Sequence, residues 1–100
     1  EQVEPVFNVH PDVRRTALVG IGAPGAQRAV LCVEANAGVP AGEHARIERE
    51  LRATGARYPH TARIDAFLFH PRFPVDIRHN AKIGREKLAA WAGQRLGGAQ

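Results

Sequence analysis

The residues best able to carry chemistry lie near the end of the chain, in the segment Lys82-Ile83-Gly84-Arg85-Glu86-Lys87-Leu88. Its pattern is K-I-x-R-x-x-L, and it follows a stretch rich in proline and cations. The pattern places Lys82 at an exposed loop-to-helix junction, where a long side chain can carry an ammonium group into a partner's cleft. Phosphates and carboxylates are the natural ligands of such a cation. Lys82 is therefore the candidate catalytic residue, against the competing interpretation of an ordinary surface lysine.

The residues before Lys82 favour the functional interpretation. We expect Asn80 to cap a final helix over residues 83–96, which would place Lys82 in its first turn beside free backbone N–H groups. Arg78 and His79 crowd the same end, although each cation at a helix N-terminus lowers stability by roughly 0.3–1 kcal/mol. A bound anion would neutralise this charge.

Other kinds of catalytic or ligand site find little support. Serine is absent, which removes a serine nucleophile, and the five histidines show no metal-ligand spacing, so no metal site is predicted. The segment 20–25 reads G-x-G-x-x-G, but Pro24 and a β-rich run follow in place of the helix that a dinucleotide site requires. We interpret these glycines as a hairpin turn.

Composition limits the class of protein. One hundred residues fit one domain, and no apolar run approaches the ~18 residues of a membrane span. A net charge of +4 fits an anionic partner or simply a solvated basic surface. The single cysteine, Cys32, cannot form an internal disulfide, which favours a reducing compartment such as the cytoplasm. It lies in an apolar run and is expected to be buried. Because methionine is absent, residue 1 is not an initiator, and we expect a piece of a longer protein.

Periodicity predicts an α+β fold in the order αββαβα, with a three-stranded mixed sheet flanked by helices. The third strand is apolar on both sides toward its end, so we expect it to be central in the sheet or covered by helices, and its pairing partner stays open. Gly55 is expected at the C′ position of the second helix. The predicted strands cover 16–21, 29–34 and 64–69, and the predicted helices cover the first residues, 43–54 and 83–96.

The chain resembles the small C-terminal domain of adenylate-forming enzymes, which include acyl-CoA synthetases, peptide-synthetase adenylation domains and luciferases. Residues 82–88 match the second half of their motif P-x-T-x-x-G-K-I-x-R-x-x-L at every defined position. Upstream, residues 4–7, 10–13 and 17–20 are similar to the family's helix, its H-P-x-V turn and its A-V-V-G strand. Ala81 replaces the usual glycine before the lysine, and residues 75–80 replace the T-x-x stretch. The phrase 74–83 is most similar to the β-lactone synthetases of bacterial olefin biosynthesis.

The resemblance implies a partner outside these residues: a large N-terminal adenylation domain that binds ATP, Mg²⁺ and a carboxylic acid, here a fatty or β-hydroxy fatty acid. Lys82 would bridge the substrate carboxylate and the α-phosphate as the acyl-adenylate forms, and would neutralise the charge that gathers there. Arg78 and Asn80 are the candidate cofactor-binding residues beside it. Rotation of the small domain would then serve the second half-reaction, and the isolated fragment is expected to be inactive.

Two further hypotheses come from other functional classes. The first is a small basic nucleic-acid-binding module with arginine-rich loops; the aromatic residues, which occur singly and at core-like spacings, argue against a stacking platform. The second is a regulatory or interaction domain that retains the fold, in which replacing Lys82 would have no effect.

Overall fold

The computed structural model describes residues 2–79 and 82–97. The predicted order αββαβα is confirmed for the main elements, and two short strands are added between the third strand and the last helix. Two 3₁₀ turns cover Ala41–Glu43 and Ile77–His79. The helices are α1 (Glu4–Asn8), α2 (His44–Gly55) and α3 (Arg85–Leu96), and the strands are β1 (Val13–Ile21), β2 (Arg28–Ala35), β3 (Ala66–Phe69), β4 (Val75–Asp76) and β5 (Lys82–Ile83).

The main sheet is three-stranded and mixed, as predicted. Its order is β1-β2-β3, with β1 antiparallel and β3 parallel to β2. The parallel pairing is possible because α2 carries the chain back across the sheet between β2 and β3. Placing the third strand at the centre was wrong, because β1 already occupies one side of β2 and the crossover delivers β3 to the other edge. The alternative expectation, that helices cover β3, is confirmed below.

The glycine-rich segment is the turn of the β1–β2 hairpin, as predicted. The backbone N–H of Ala26 donates to the carbonyl of Ala23 at 2.9 Å, which closes a β-turn with Pro24 and Gly25 at its centre. Gly25 has a φ of 85°, the left-handed conformation that the third position of a type II turn requires. A hairpin turn leaves no helix N-terminus for a pyrophosphate, so the dinucleotide interpretation does not apply.

Helices cover both faces of the sheet because β2 sends alternate side chains to opposite sides. Leu31 and Val33 face α1 and α2, whereas Val30 and Cys32 face α3. The edge strand β3 follows the same alternation, so it is apolar on both sides. The first core cluster includes Phe7, Ile47, Leu51 and Phe67, and the second includes Ala17, Ala66, Leu88 and Ala92.

Gly55 does not occupy the C′ position that the sequence suggested. It is the last residue of α2, and the C-cap is Ala56 with a φ of −66°. The reason for a glycine is the close approach of α1: a Cβ built on Gly55 would lie 3.0 Å from Cζ of Phe7, closer than packed carbon atoms normally come. The glycine therefore serves packing between helices and not chain reversal.

Cys32 is fully buried in the α3 face of the sheet, as predicted. Burial raises the pKa of its thiol to about 11, because the low-dielectric surroundings disfavour the thiolate. No helix within residues 2–79 and 82–97 is long and apolar enough to cross a membrane.

Candidate functional site

Lys82 lies on a short β-hairpin that projects from the segment between β3 and α3. We call residues 75–83 the lysine hairpin; β4 and β5 form its arms, and residues 80 and 81 lie outside the described residues. The register pairs Val75 with Ile83 and Asp76 with Lys82. Lys82 is exposed, as a lysine that must reach a partner requires.

The expectation that Lys82 stands in the first turn of the last helix is wrong. α3 begins at Arg85, with Gly84 as its N-cap and no side-chain capping bond. Lys82 and Ile83 are instead extended, because their backbone groups pair with β4. Asn80 precedes Gly84 by four residues and is not the cap of α3; its own structure lies outside the described residues.

The charge around Lys82 also differs from the expectation. Lys82 lies in β5, two residues before the N-cap Gly84, and the first turn of α3 itself carries the acidic Glu86. Asp76 is the cross-strand neighbour of Lys82, and its Oδ1 accepts the backbone N–H of Arg78 at 3.0 Å. No ion pair joins Lys82 to an acidic group of the described part of the chain, so its ammonium group is not tied to an internal carboxylate there.

The lysine hairpin and the first turn of α3 surround an open depression of about 1090 Å³. Lys82 and Arg78, two of the three predicted site residues, both line it. Cations outnumber carboxylates along its wall, so it can attract and orient an anion such as a phosphate. The lining residues with charged side chains are Asp76, Arg78, Lys82, Arg85, Glu86 and Lys87.

An ion pair holds the first turn of α3, which follows the lysine hairpin, against α1 and β1. Nη1 of Arg85 donates to Oε2 of Glu4 at 2.9 Å and to the backbone carbonyl of Leu18 at 3.3 Å. The same Oε2 accepts the backbone N–H of Leu18 at 2.9 Å. In the sequence, Glu4 and Arg85 stand out only as positions of family motifs. Their contact was not predicted, because no local pattern links residues so far apart in the chain.

A second carboxylate holds the segment that enters the lysine hairpin. Glu34, at the end of β2, is buried and accepts from Nε of Arg15 at 2.6 Å. Its Oε1 also accepts the backbone N–H of Phe73 at 3.1 Å, and Arg14 approaches its other oxygen at 3.6 Å. The buried charge is thus compensated, and the chain is fixed two residues before β4. Apart from an acidic residue at a strand end, no sequence pattern indicates this contact.

The arrangement offers electrostatic chemistry only. No cluster of three or more His, Cys, Asp or Glu side chains suited to a metal occurs in the ranges 2–79 and 82–97. Of the six aromatic side chains, those of Phe7, Phe67 and Phe73 are buried, two more are half-buried, and that of Tyr58 is exposed. Since single-strand binders stack bases on exposed aromatic rings, the nucleic-acid alternative gains no support.

Comparison with known proteins identifies olefin β-lactone synthetases as relatives of this chain. It is 68% identical over 95 residues to an olefin β-lactone synthetase from Xanthomonas campestris pv. campestris and 57% identical over 96 residues to one from Stenotrophomonas maltophilia. These alignments cover 95% and 96% of this chain but 17% of each relative. The chain therefore spans about a sixth of the length of the curated relatives it matches. No family profile matches it.

Solved structures agree with this assignment. The fold matches an amide bond synthetase from Marinactinospora thermotolerans with a TM-score of 0.64 and 28% identity, over 89% of this chain and 17% of that one. It matches an acyl-CoA synthetase from Brucella canis with a TM-score of 0.71 and 21% identity, over 93% of this chain and 17% of that one. At that lower identity the second match speaks for the fold alone.

The motif around Lys82 agrees with a similarity that runs over nearly the whole chain at high identity. The resemblance drawn from the sequence is confirmed: this chain is homologous to a segment of the olefin β-lactone synthetases and shares the fold of a segment of other enzymes of the adenylate-forming superfamily.

Proposed function

We propose that this chain is the small, lysine-bearing domain of a longer ATP-dependent ligase, in which Lys82 promotes adenylation of a carboxylic acid. The observation that carries the proposal is the position of Lys82, exposed on a hairpin at the wall of a cationic depression. High identity to part of two olefin β-lactone synthetases supports it. The large partner domain, placed N-terminal to residues 1–100, is part of the proposal, because the chain spans about a sixth of those relatives.

The proposed role of Lys82 is electrostatic. A carboxylate and the α-phosphate of ATP must come together for adenylation, and they repel each other. An ammonium group between them lowers the energy of the transition state, where their charges are closest, more than that of the separated reactants. Such stabilisation is strongest where water is excluded, so Lys82 has to enter a cleft, and an exposed hairpin suits that requirement.

The described residues fit only part of the ligand set that the family implies. The cationic wall, with Arg78 beside Lys82, suits a phosphate group, and Arg78 and Asn80 stay the candidate ATP contacts of this chain. No suitable carboxylate cluster for Mg²⁺ occurs in the described ranges. We therefore assign Mg²⁺ and most contacts to ATP, which supplies the adenylyl group, to the remainder of the longer protein.

The acid is proposed to be a fatty or β-hydroxy fatty acid. The support is the name of the two relatives, olefin β-lactone synthetase, since a β-lactone requires a hydroxyl on the β-carbon of the acid. Three further statements stay predictions: that residues 1–100 form the small C-terminal domain, that the protein lies in the cytoplasm, and that the isolated fragment is inactive.

The proposal is tested with Lys82→Ala in the longer protein. We expect the rate of acyl-adenylate formation to fall to a few per cent of the wild-type rate or less. The assay is the acid-dependent exchange of pyrophosphate into ATP. ATP binding, measured by calorimetry, should change little, because Lys82 is expected to act between the reactants and not on the base or ribose. Arg49→Ala is the matched control: it removes one exposed cation from α2, which packs on the opposite face of the sheet from α3.

A Lys82→Ala protein that retains more than a few per cent of the wild-type adenylation rate contradicts the proposal. The chain would then be better described as a regulatory or interaction domain that keeps the fold of its relatives.

A further inference from the structure

We propose that the ion pair between Glu4 and Arg85 is a positioning device for Lys82. The inference rests on the proposed function, because a positioning role requires that the placement of Lys82 matters. It concerns two side chains that would not touch the reactants through this contact. They act by fixing the backbone on which Lys82 stands.

The contact joins three separate parts of the fold at one point. Glu4 lies in the first turn of α1, Leu18 lies on the edge strand β1, and Arg85 is the first residue of α3. The carboxylate of Glu4 accepts both the N–H of Leu18 and Nη1 of Arg85, each at 2.9 Å. The guanidinium of Arg85 reaches the carbonyl of Leu18 at 3.3 Å. The pair thus hydrogen-bonds to both the N–H and the carbonyl of Leu18, which lies on an open sheet edge where such groups otherwise face water.

Fixing Arg85 restricts Lys82 through a short chain of backbone bonds. Gly84, which precedes Arg85, donates its N–H to the carbonyl of Pro74 at 2.7 Å. The next two residues toward the N-terminus, Ile83 and Lys82, pair with Val75 and Asp76. The lysine hairpin therefore moves as a unit with the first turn of α3, and the ion pair sets where that unit sits relative to β1.

Exposure of the pair argues for a role in placement more than in stability. The side chains of Arg85 and Glu4 are 49% and 26% exposed, and ion pairs that water reaches contribute little to folding. Displacing a catalytic group by about 1 Å, in contrast, can lower a rate roughly a hundredfold. A small loss of fixation at Arg85 is thus expected to affect adenylation far more than unfolding.

The test uses Glu4→Gln and Arg85→Met in the longer protein, with adenylation measured by pyrophosphate exchange. We expect kcat to fall about tenfold to a hundredfold in each variant, with KM for ATP within twofold of the wild type. Glu48→Gln and Arg52→Met are the matched controls, since they break a 2.9 Å ion pair within α2 and should leave kcat unchanged. The double variant Glu4→Gln/Arg85→Met should be no slower than the slower single variant, because the two substitutions remove the same contact.

Glu4→Gln separates positioning from a direct role of Arg85, which also lines the cationic depression. It leaves the guanidinium in place, so an unchanged rate in Glu4→Gln with a loss in Arg85→Met overturns the inference. It is also the milder change, and it decides the matter if Arg85→Met lowers the unfolding midpoint more than Arg52→Met does. Wild-type kcat in both variants, where Lys82→Ala is inactive, overturns the inference and leaves the proposed function standing. Retained adenylation in Lys82→Ala overturns both.

Discussion

The lysine hairpin and the three-layer body of the domain, made of α1, α2, β1–β3 and α3, are built in opposite ways. In the body, apolar side chains from both faces of the sheet are buried under helices, and the buried carboxylate Glu34 is compensated by arginine. In the hairpin, Val75, Ile77 and Lys82 are all exposed, and Ile77 is 84% exposed. The body supplies the stability, and the hairpin supplies the charge that we propose to be functional.

A substitution should therefore have different consequences in the two regions. A residue of the body contributes through burial, at about 25 cal/mol per Å² of apolar surface. A residue of the hairpin has little surface to bury in this domain, so its replacement should change the stability of the domain little. Two isoleucines and one cysteine allow this contrast to be measured directly.

The largest expected effect is in the body, for Ile47→Ala. Ile47 is fully buried on α2 between α1 and the sheet. Removing its outer atoms forfeits transfer free energy and leaves a cavity, so the free energy of unfolding should fall by roughly 2–5 kcal/mol. Urea denaturation of the chain, followed by circular dichroism, measures the change. A loss below about 1 kcal/mol would mean that the α2 face is loosely packed.

Thiol reactivity should show a smaller but still large difference between the two regions. The pKa of the Cys32 thiol is raised to about 11 by burial, whereas an exposed thiol introduced by Ile77→Cys should have a pKa near ~8.5. At pH 8 the thiolate fraction then differs by about two orders of magnitude. We expect Ile77→Cys to add one fast-reacting thiol toward a disulfide reagent, with Cys32 reacting only after denaturation. Rapid labelling of Cys32 in the native wild-type chain would contradict its burial.

The smallest expected effect is that of Ile77→Ala, the exposed counterpart of Ile47→Ala. Because Ile77 has almost no surface to lose on folding, the free energy of unfolding should stay within about 0.5 kcal/mol of the wild-type value. The same urea titration measures it. A loss comparable to that of Ile47→Ala would show that the hairpin packs on the body more closely than its exposure indicates.

Most of the body was predictable because its signals are local. The apolar run of β2, the helical spacing of Ile47 and Leu51, and the turn chemistry of Pro24 and Gly25 each identify an element within a few residues. The order αββαβα and the mixed sheet were confirmed on that basis. The central position assigned to the third strand was wrong because strand order depends on pairing between distant segments, which periodicity does not report.

The lysine hairpin was harder to predict for the same reason. The run from Ile83 to Leu96 reads as one helix, and only the pairing of Lys82 and Ile83 with β4 delays the start of α3 to Arg85. The cap assigned to Asn80 failed with that boundary. The exposure of Lys82 and the relationship to adenylate-forming enzymes followed from the motif itself, whereas the depression that Lys82 and Arg78 both line is visible only in the fold.

Residue identity and short-range periodicity are properties of the chain itself. They were sufficient to identify the charged residues, the elements of the body and the group of enzymes that the chain resembles. The contact of Glu4 with Arg85 and that of Glu34 with the entry to the lysine hairpin are visible only in the folded structure. Those contacts join residues that are far apart in the chain, and they form because packing of helices on both faces of the sheet brings their side chains together.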